Sequence, residues 1–395
     1  MSTGAVASLF SREPERLRLP EGDALDALLE SLPGTRAVFL LKADQGQQPY
    51  LGRCQNLRRR VQRLLRVPTP DSRMLSLRGV ARELAFWPVA GRLGAALLLW
   101  EQTRHIDPQG YRKRLRLRMP SYVSLLHRNR FPRAVLTRHP ANDEWSYGPF
   151  PTRADADRFL GQALDLFQIR RCEEELEPHP EHPGCVYGEM GMCLRPCQAA
   201  VPDEAYRSEV RSFWAMLETR GESLRQGLEA ERDEASANLR FEDAARAHKR
   251  LAKLTACFPR SHPLAAPIAN LHGVAITKDA VEQSVLLWPV WHGNLQPSLS
   301  IAAGDTNGKS IGALLQASRA QSRIHDPETK QELLAVLQRW AGSSWCDGEW
   351  LMFDEAEKPP LRKICNAVQR VAIDSVTNAP GATTGEGASH ASGNL

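Results

Sequence analysis

The stretch Pro33 to Leu65, PGTRAVFLLKADQGQQPYLGRCQNLRRRVQRLL, joins a short hairpin to a strongly basic helix. Ala37-Val38-Phe39-Leu40-Leu41 is an apolar run of strand length, and Gln45 to Pro49 is a turn cluster leading to a second strand at Tyr50-Leu51-Gly52. From Asn56, the apolar residues Leu57, Val61, Leu64 and Leu65 recur at helical spacing, while Arg58, Arg59, Arg60, Arg63 and Arg66 fill the other faces. A guanidinium-covered helix beside a strand bearing a tyrosine suits a phosphodiester, because arginine grips phosphate oxygens bidentately.

Working outward, 395 residues predict two or three domains, and 42% hydrophobic with 25% charged residues is an ordinary globular composition. A net charge of +5 is a mild argument for nucleic acid that local clustering strengthens. The N-terminus lacks the apolar core of a signal peptide and no run reaches ~18 apolar residues, so a cytoplasmic protein with no membrane partner is expected. Eight cysteines in a chain of this length do not form a disulfide scaffold, and a local cluster points to metal or reactivity.

The Pro33–Leu65 stretch resembles the GIY-YIG nuclease module of the UvrC/Cho family of excision-repair endonucleases. In that family a Pro-Gly-Val-Tyr strand, a Tyr-Val-Gly strand and an Asn-Leu-x-x-Arg helix form the catalytic core. Tyr50-Leu51-Gly52 matches the second motif and Asn56-Leu57 through Arg60 the helix, while Phe39 stands where the first motif has tyrosine. The resemblance implies Tyr50, Arg60 and Arg53 as catalytic positions, with Tyr50 activating water and Arg60 stabilising transition-state charge. It also implies DNA contacts from Arg58, Arg59 and Arg63, and magnesium or manganese held by a glutamate on a later helix.

That helix begins near Ala90 and reads as buried. Anchoring on Ala90-Gly91 and Leu93-Gly94-Ala95 puts Leu99 at the glutamate position; anchoring on Tyr111 to Arg116 puts Trp100 there. Glu101 lies one residue, about 100°, further round, and serves only if the helix is re-wound. The following segment, Arg104 to Arg118, is basic, and alternation in Lys113, Arg114, Leu115, Arg116 and Leu117 reads as a strand whose charges face phosphate or solvent.

Cys172, Cys185, Cys193 and Cys197 fall within one proline- and glycine-rich segment and supply four thiols for a soft metal centre, with His179 and His182 nearby. The family resemblance implies a four-iron iron–sulfur cluster; thiolates suit zinc equally well. Residues 221–256 read as an amphipathic helical hairpin, with Phe241, Ala244, Ala245, His248, Leu251 and Leu254 on one stripe. The run Asn238 to Arg246 resembles the UVR motif, which implies a UvrB-like partner met through Leu239, Phe241, Ala244, Ala245, His248 and Leu251.

The expected architecture is an α+β multidomain chain: an arm (1–28), a nuclease-like domain on a small mixed sheet (29–118), a connecting region with the cysteines (119–212), the hairpin (221–256), a small α+β domain (262–374) and a disordered tail (375–395). In the last domain His292-Gly293-Asn294 reads as a hairpin turn, and Trp340, Trp345 and Trp350 as core. The residues after Cys257 are expected to be too few for both the RNase H-like and the helix-hairpin-helix regions that the resemblance would otherwise bring. Two functions follow from the resemblance: a metal-dependent DNA endonuclease making one incision near a lesion, or a nuclease-derived protein that holds DNA and UvrB without cutting.

Overall fold

The computed structural model describes residues 8–10, 12–43, 49–67, 76–140, 145–258, 263–305, 307–344, 346–354 and 358–377, with side chains to 373. The turn at Gln45 to Gln48, Met74, Leu75, Glu144, Trp345 and the tail lie outside the described residues.

The first domain contains β1 (Glu15–Arg18), α1 (Asp23–Ser31), β2 (Ala37–Lys42), β3 (Tyr50–Cys54), α2 (Leu57–Leu64), β4 (Glu83–Pro88), α3 (Arg92–Ile106) and α4 (Tyr111–Leu115). Its sheet runs β1-β4-β2-β3 with every pair antiparallel, where a mixed sheet is expected. Phe39 lies opposite Gly52, so the two family-like strands are direct neighbours. Leu57, Val61, Leu64 and Leu65 are all buried, joining Phe39, Leu41 and Leu84 in one core, as their helical spacing predicts.

The N-terminal segment is not a detached arm. β1 extends the sheet, Leu9 is fully buried in a core shared with the C-terminal domain, and Phe10 meets Trp288 edge-on at 5.3 Å. The basic segment after α3 is helical, not a strand. Asp107 accepts a hydrogen bond from Gly110 N at 2.8 Å and turns the chain into α4, which stops where Arg116 enters the left-handed region at φ 49°. Six residues of alternation do not fix a period, and the buried Tyr111 sets the helix.

The middle domain comprises β5 (Ser121–Leu125), β6 (Ala134–Thr137), β7 (Ser146–Phe150), α5 (Arg153–Leu164), the single-turn α6 (Val186–Glu189) and α7 (Asp203–Glu218). The helical hairpin is α8 (Glu222–Ala237) and α9 (Phe241–Cys257). The chain then returns to the middle sheet: β8 (Ala266–Pro267) pairs with β7. The C-terminal domain adds β9 (His272–Lys278), β10 (Ser284–Trp291), β11 (Asn294–Leu295), β12 (Leu299–Ala302), α10 (Gly308–Ala320), α11 (Pro327–Ala341), β13 (Gly348–Phe353) and α12 (Leu361–Thr377). Its strands are ordered β11-β10-β9-β13, with β12 also on β10. The expected turn is present, with positive φ at His292 and Gly293, and two short strands, β11 and β12, follow it. Among the described residues no helix is long and apolar enough to cross a membrane.

Helix α3 joins the two ends of the chain. Ala95 and Leu98 pack on β2 and β4, while Leu93, Leu97 and Trp100 enter a core with Trp288, Leu333 and Leu337 of the C-terminal domain. Glu332, with a fully buried side chain, lies at this junction. It accepts hydrogen bonds from Trp100 Nε1 (2.9 Å), Tyr111 OH (2.6 Å) and Arg112 Nε (2.6 Å). Burial, reinforced by this carboxylate, pushes the Tyr111 phenol up to about 12, so it remains a donor at neutral pH.

Replacing Glu332 by Leu leaves the Trp100 indole and Tyr111 hydroxyl without their acceptor. A loss of about 2–4 kcal/mol is expected in denaturant unfolding, since each buried group left unpaired costs about 1–3 kcal/mol. An unchanged midpoint would show that the carboxylate does not hold the domains together.

Candidate nucleic-acid interface

Asn56, with extended backbone, caps α2 by accepting Arg59 N on its side chain at 2.9 Å. The cap fixes the rotation of the helix, which turns Arg60 toward β3, where its Nη2 donates to Tyr50 OH at 2.8 Å. Phe39 and Tyr50 stack obliquely with centroids 6.0 Å apart. Gly52 lies between them: a Cβ there would stand 3.0 Å from Phe39 Cζ and 3.3 Å from Tyr50 Cε1, so only glycine leaves both rings in place.

Beside this pair opens a cleft of about 530 Å³ lined by Arg36, Arg53, Cys54, Gln55, Asn56, Arg59, Arg60, Arg63, Arg92 and Ala95. Six guanidinium groups therefore line one cavity, and no carboxylate is among the described lining residues. Burial pushes the Cys54 thiol up, so it presents no thiolate to this cleft. Arg36 donates through Nε to Gln55 (2.8 Å) and through Nη1 to Ala90 O (2.5 Å). Asp347, from the C-terminal domain, comes within 3.5 Å of Arg36 Nη1 and accepts from Arg92 N (2.7 Å) and Trp340 Nε1 (2.9 Å). Its oxygens are thus committed: Oδ2 to Arg92 N at the N-terminus of α3 and to Arg36, Oδ1 to the Trp340 indole of α11. An arrangement of this kind is suited to a polyanion: six guanidinium groups and little to repel a phosphate.

The structure corrects several expectations. Glu101 is not in the cleft; its Oε2 accepts Leu9 N at 3.0 Å and holds the N-terminal segment. Arg92 and Ala95 are the α3 residues at the cleft, and Glu101 is about 120° from Ala95 around the helix. Trp100 faces Glu332 and the C-terminal domain. Arg58 points away from the cleft, donating to Leu32 O at 2.6 Å. Lys113, Arg114 and Arg116 are exposed on or just after α4 and do not line the cleft. Arg36, Arg92 and Asp347 had no part in the sequence reading. Arg36 stands within the decisive stretch and could have been found; Asp347 reaches the site only through tertiary packing.

The four cysteines surround the loops after α5. Cys193 and Cys197 are buried, Cys172 and Cys185 half-buried. Burial first, and the neighbouring thiols second, push Cys193 up to about 11; Cys197 is raised by the same two causes. Arg195 N points at Cys193 Sγ (3.4 Å) and Arg170 Nη1 at Cys172 Sγ (3.9 Å). The donor set is that of a soft-metal site, but among the described residues no three His, Cys, Asp or Glu side chains converge closely enough to hold an ion. His179 and His182 each spend Nδ1 on a local backbone N–H, at 3.2 and 3.0 Å.

The hairpin packs on its own chain through Leu228, Ala235, Ala247, Leu254 and Cys257, the buried face of α8 and α9. This face is rotated from the expected stripe. Leu239 and Phe241 are 73% and 66% exposed, Ala245 and His248 are exposed, and Ala244 and Leu251 are half-buried. The expected partner residues thus flank the buried seam and mostly face outward.

With these sites in place, residues 121–216, spanning β5 to α7, match the family described as UvrC/Cho excinuclease, middle domain. That part of the chain is thus similar to the middle domain of the UvrC/Cho excinucleases. The chain is similar to UvrABC system protein C of Carboxydothermus hydrogenoformans, 28% identical over 55% of this chain and 36% of the relative. It is also similar to the proteins of that name from Desulforudis audaxviator (25% identical, 76% of this chain, 49% of the relative) and Gloeobacter violaceus (26%, 77% and 47%). The chain therefore spans less than half the length of each of these relatives. No solved structure matches it.

Proposed function

We propose that this chain is a DNA-binding protein of nucleotide excision repair, a nuclease-derived module that grips duplex DNA and docks on a UvrB-like protein without cutting. The observation that carries this reading is the cleft: six arginines line it and no carboxylate does, among the described residues. Arginines at i and i+4, such as Arg59 and Arg63, share one helical face and can follow a sugar–phosphate strand. A hydrolytic centre of the family's kind would also need an oxygen ligand for magnesium or manganese, and Leu99, Trp100 and Ala95 offer none.

One observation favours a second reading, incision of the DNA. Tyr50 and Arg60 are hydrogen-bonded at 2.8 Å, as a base-and-stabiliser pair would be. In that reading Tyr50 takes the proton of the attacking water and Arg60 meets the developing charge. Phe39 lacks the hydroxyl of its counterpart, and a divalent ion would have to be held chiefly by the DNA. Either way the protein works on DNA in the cytoplasm.

The four thiols support an architectural metal centre, an iron–sulfur cluster or zinc, that would staple the loops between α5 and α7. The exposed Leu239 and Phe241 support the hairpin as the docking surface, since a large apolar side chain held in solvent becomes an anchor when a partner covers it.

Four measurements test these assignments. In fluorescence anisotropy with duplex DNA, Arg59→Ala with Arg63→Ala should weaken binding about 10- to 100-fold and flatten the slope of log K against log salt by about 2. An unchanged affinity and slope would remove the cleft from the interface. On a lesion-bearing duplex with magnesium or manganese, nicking that disappears in Arg60→Ala would replace the first reading with the second. Phe241→Ala should lower affinity for a UvrB-like partner at least about tenfold without moving the melting temperature, the mark of an exposed hot spot; equal binding would acquit the ring. Metal and acid-labile sulfide in anaerobically purified protein should fall on Cys197→Ser, and protein containing neither would sink the metal centre.

A further inference from the structure

A second cleft, of about 370 Å³, opens between the middle and C-terminal domains, far from the arginine cleft in chain and in lining. Its volume falls in the range of small-molecule sites. Tyr122 of β5 reaches it from the middle domain; His292 from the β10–β11 turn, Arg323, Ile324, and Lys330 of α11 reach it from the other side.

Two polar groups in this cleft lack partners. The Tyr122 hydroxyl is buried, on a residue with 0% exposure, and makes no hydrogen bond. A buried hydroxyl of this kind calls for an explanation, and a bound ligand is one. Lys330 is half-buried, its ammonium has no hydrogen bond or ion pair to another described residue, and burial pulls its pKa down. Hydrogen bonds elsewhere shape the wall. His292 donates through Nδ1 to Ala269 O (2.7 Å), leaving Nε2 uncommitted, and Arg323 Nη1 is held by Ser8 O at 3.1 Å. No carboxylate is among the described lining residues, while Ile324, 89% exposed, and the buried Leu334 supply an apolar side. The cleft thus combines unmatched donors, positive charge and an apolar wall.

We propose that this cleft binds a phosphate monoester carried on an apolar or aromatic group, with a nucleotide as the ligand class. The phosphate meets Lys330, the Tyr122 hydroxyl donates to the ligand at the floor, and the base lies against Ile324 and Leu334. The inference stands apart from the function proposed for the arginine cleft. A free nucleotide and the phosphorylated end of a DNA strand share this chemistry.

The test is calorimetric titration of the full chain with thymidine 5′-monophosphate, thymidine and inorganic phosphate. The nucleotide should bind, and thymidine at least tenfold more weakly. Lys330→Met should lower nucleotide affinity at least tenfold and Tyr122→Phe several-fold, the latter with an unchanged or raised melting temperature because the hydroxyl it removes has no partner in the fold. Binding should survive Arg59→Ala with Arg63→Ala, which separates this site from the arginine cleft. Competition by a 5′-phosphorylated oligonucleotide, and not by its unphosphorylated twin, would assign the ligand to a strand end; no competition would assign it to free nucleotide. The proposal is overturned if the nucleotide does not bind at millimolar concentration, if thymidine binds equally well, if both cleft variants bind like the parent, or if the Arg59/Arg63 variant abolishes binding.

Discussion

The architecture rests on helix α3 being buried from two directions at once. Ala95 and Leu98 face the first sheet, and Leu93, Leu97 and Trp100 face the C-terminal domain, so the helix is apolar nearly all round. Such a helix can be rotated by either neighbour, and a polar contact is needed to set its angle. The buried Glu332 supplies it, accepting the Trp100 indole N–H while also holding Tyr111 and Arg112. A lone buried carboxylate is costly, so three donors and the nearby guanidinium groups are conditions of its being there. The reward is a single register between the two ends of the chain.

That register explains the composition of the cleft. The α3 residues that reach it are Arg92 and Ala95, and the carboxylate nearest in sequence to the expected ligand position, Glu101, is turned to the N-terminal segment. With one face of α3 given to the sheet and another to the C-terminal domain, little surface remains from which a ligand could reach the cleft. The Tyr50–Arg60 hydrogen bond survives because both residues belong to the β3–α2 unit, whose geometry is set by the Asn56 cap and by Gly52.

This division marks what the sequence could reveal. The β3–α2 unit was legible because its determinants are local: apolar spacing at Leu57, Val61 and Leu64, a capping asparagine, and a glycine opposite a phenylalanine. The helical hairpin was legible for the same reason, although its buried seam at Ala247, Leu254 and Cys257 is rotated from the stripe read from Phe241. Packing against α5 and α7 chooses the seam, and those partners are not encoded within the hairpin. Every arginine on a basic helix looks alike in a sequence, while only the fold shows Leu32 O within reach of Arg58 Nε. The α4 segment was misread because alternation of charge and leucine over a few residues satisfies a strand, whereas a buried Tyr111 bonded to Glu332, 221 positions away, demands a helical turn. The pairing of β8 with β7 is equally non-local.

Six guanidinium groups around one cavity repel one another, and the fold offsets this by local means. Arg60 is held by a phenol and Arg36 by a side-chain amide and a main-chain carbonyl, contacts that fix direction without cancelling charge. Asp347 does cancel charge, and it does so at the N-terminus of α3, against Arg92 N and beside Arg36. Because the Trp340 indole holds its other oxygen, this carboxylate belongs to the C-terminal domain as firmly as to the cleft. The edge of the cleft nearest the C-terminal domain is therefore partly neutralised, while Arg53, Arg59 and Arg63, exposed along β3 and α2, keep their charge toward solvent. A polyanion approaching this surface meets a graded field, most positive along β3 and α2, and that gradient orients it along the helix that the Asn56 cap sets in place.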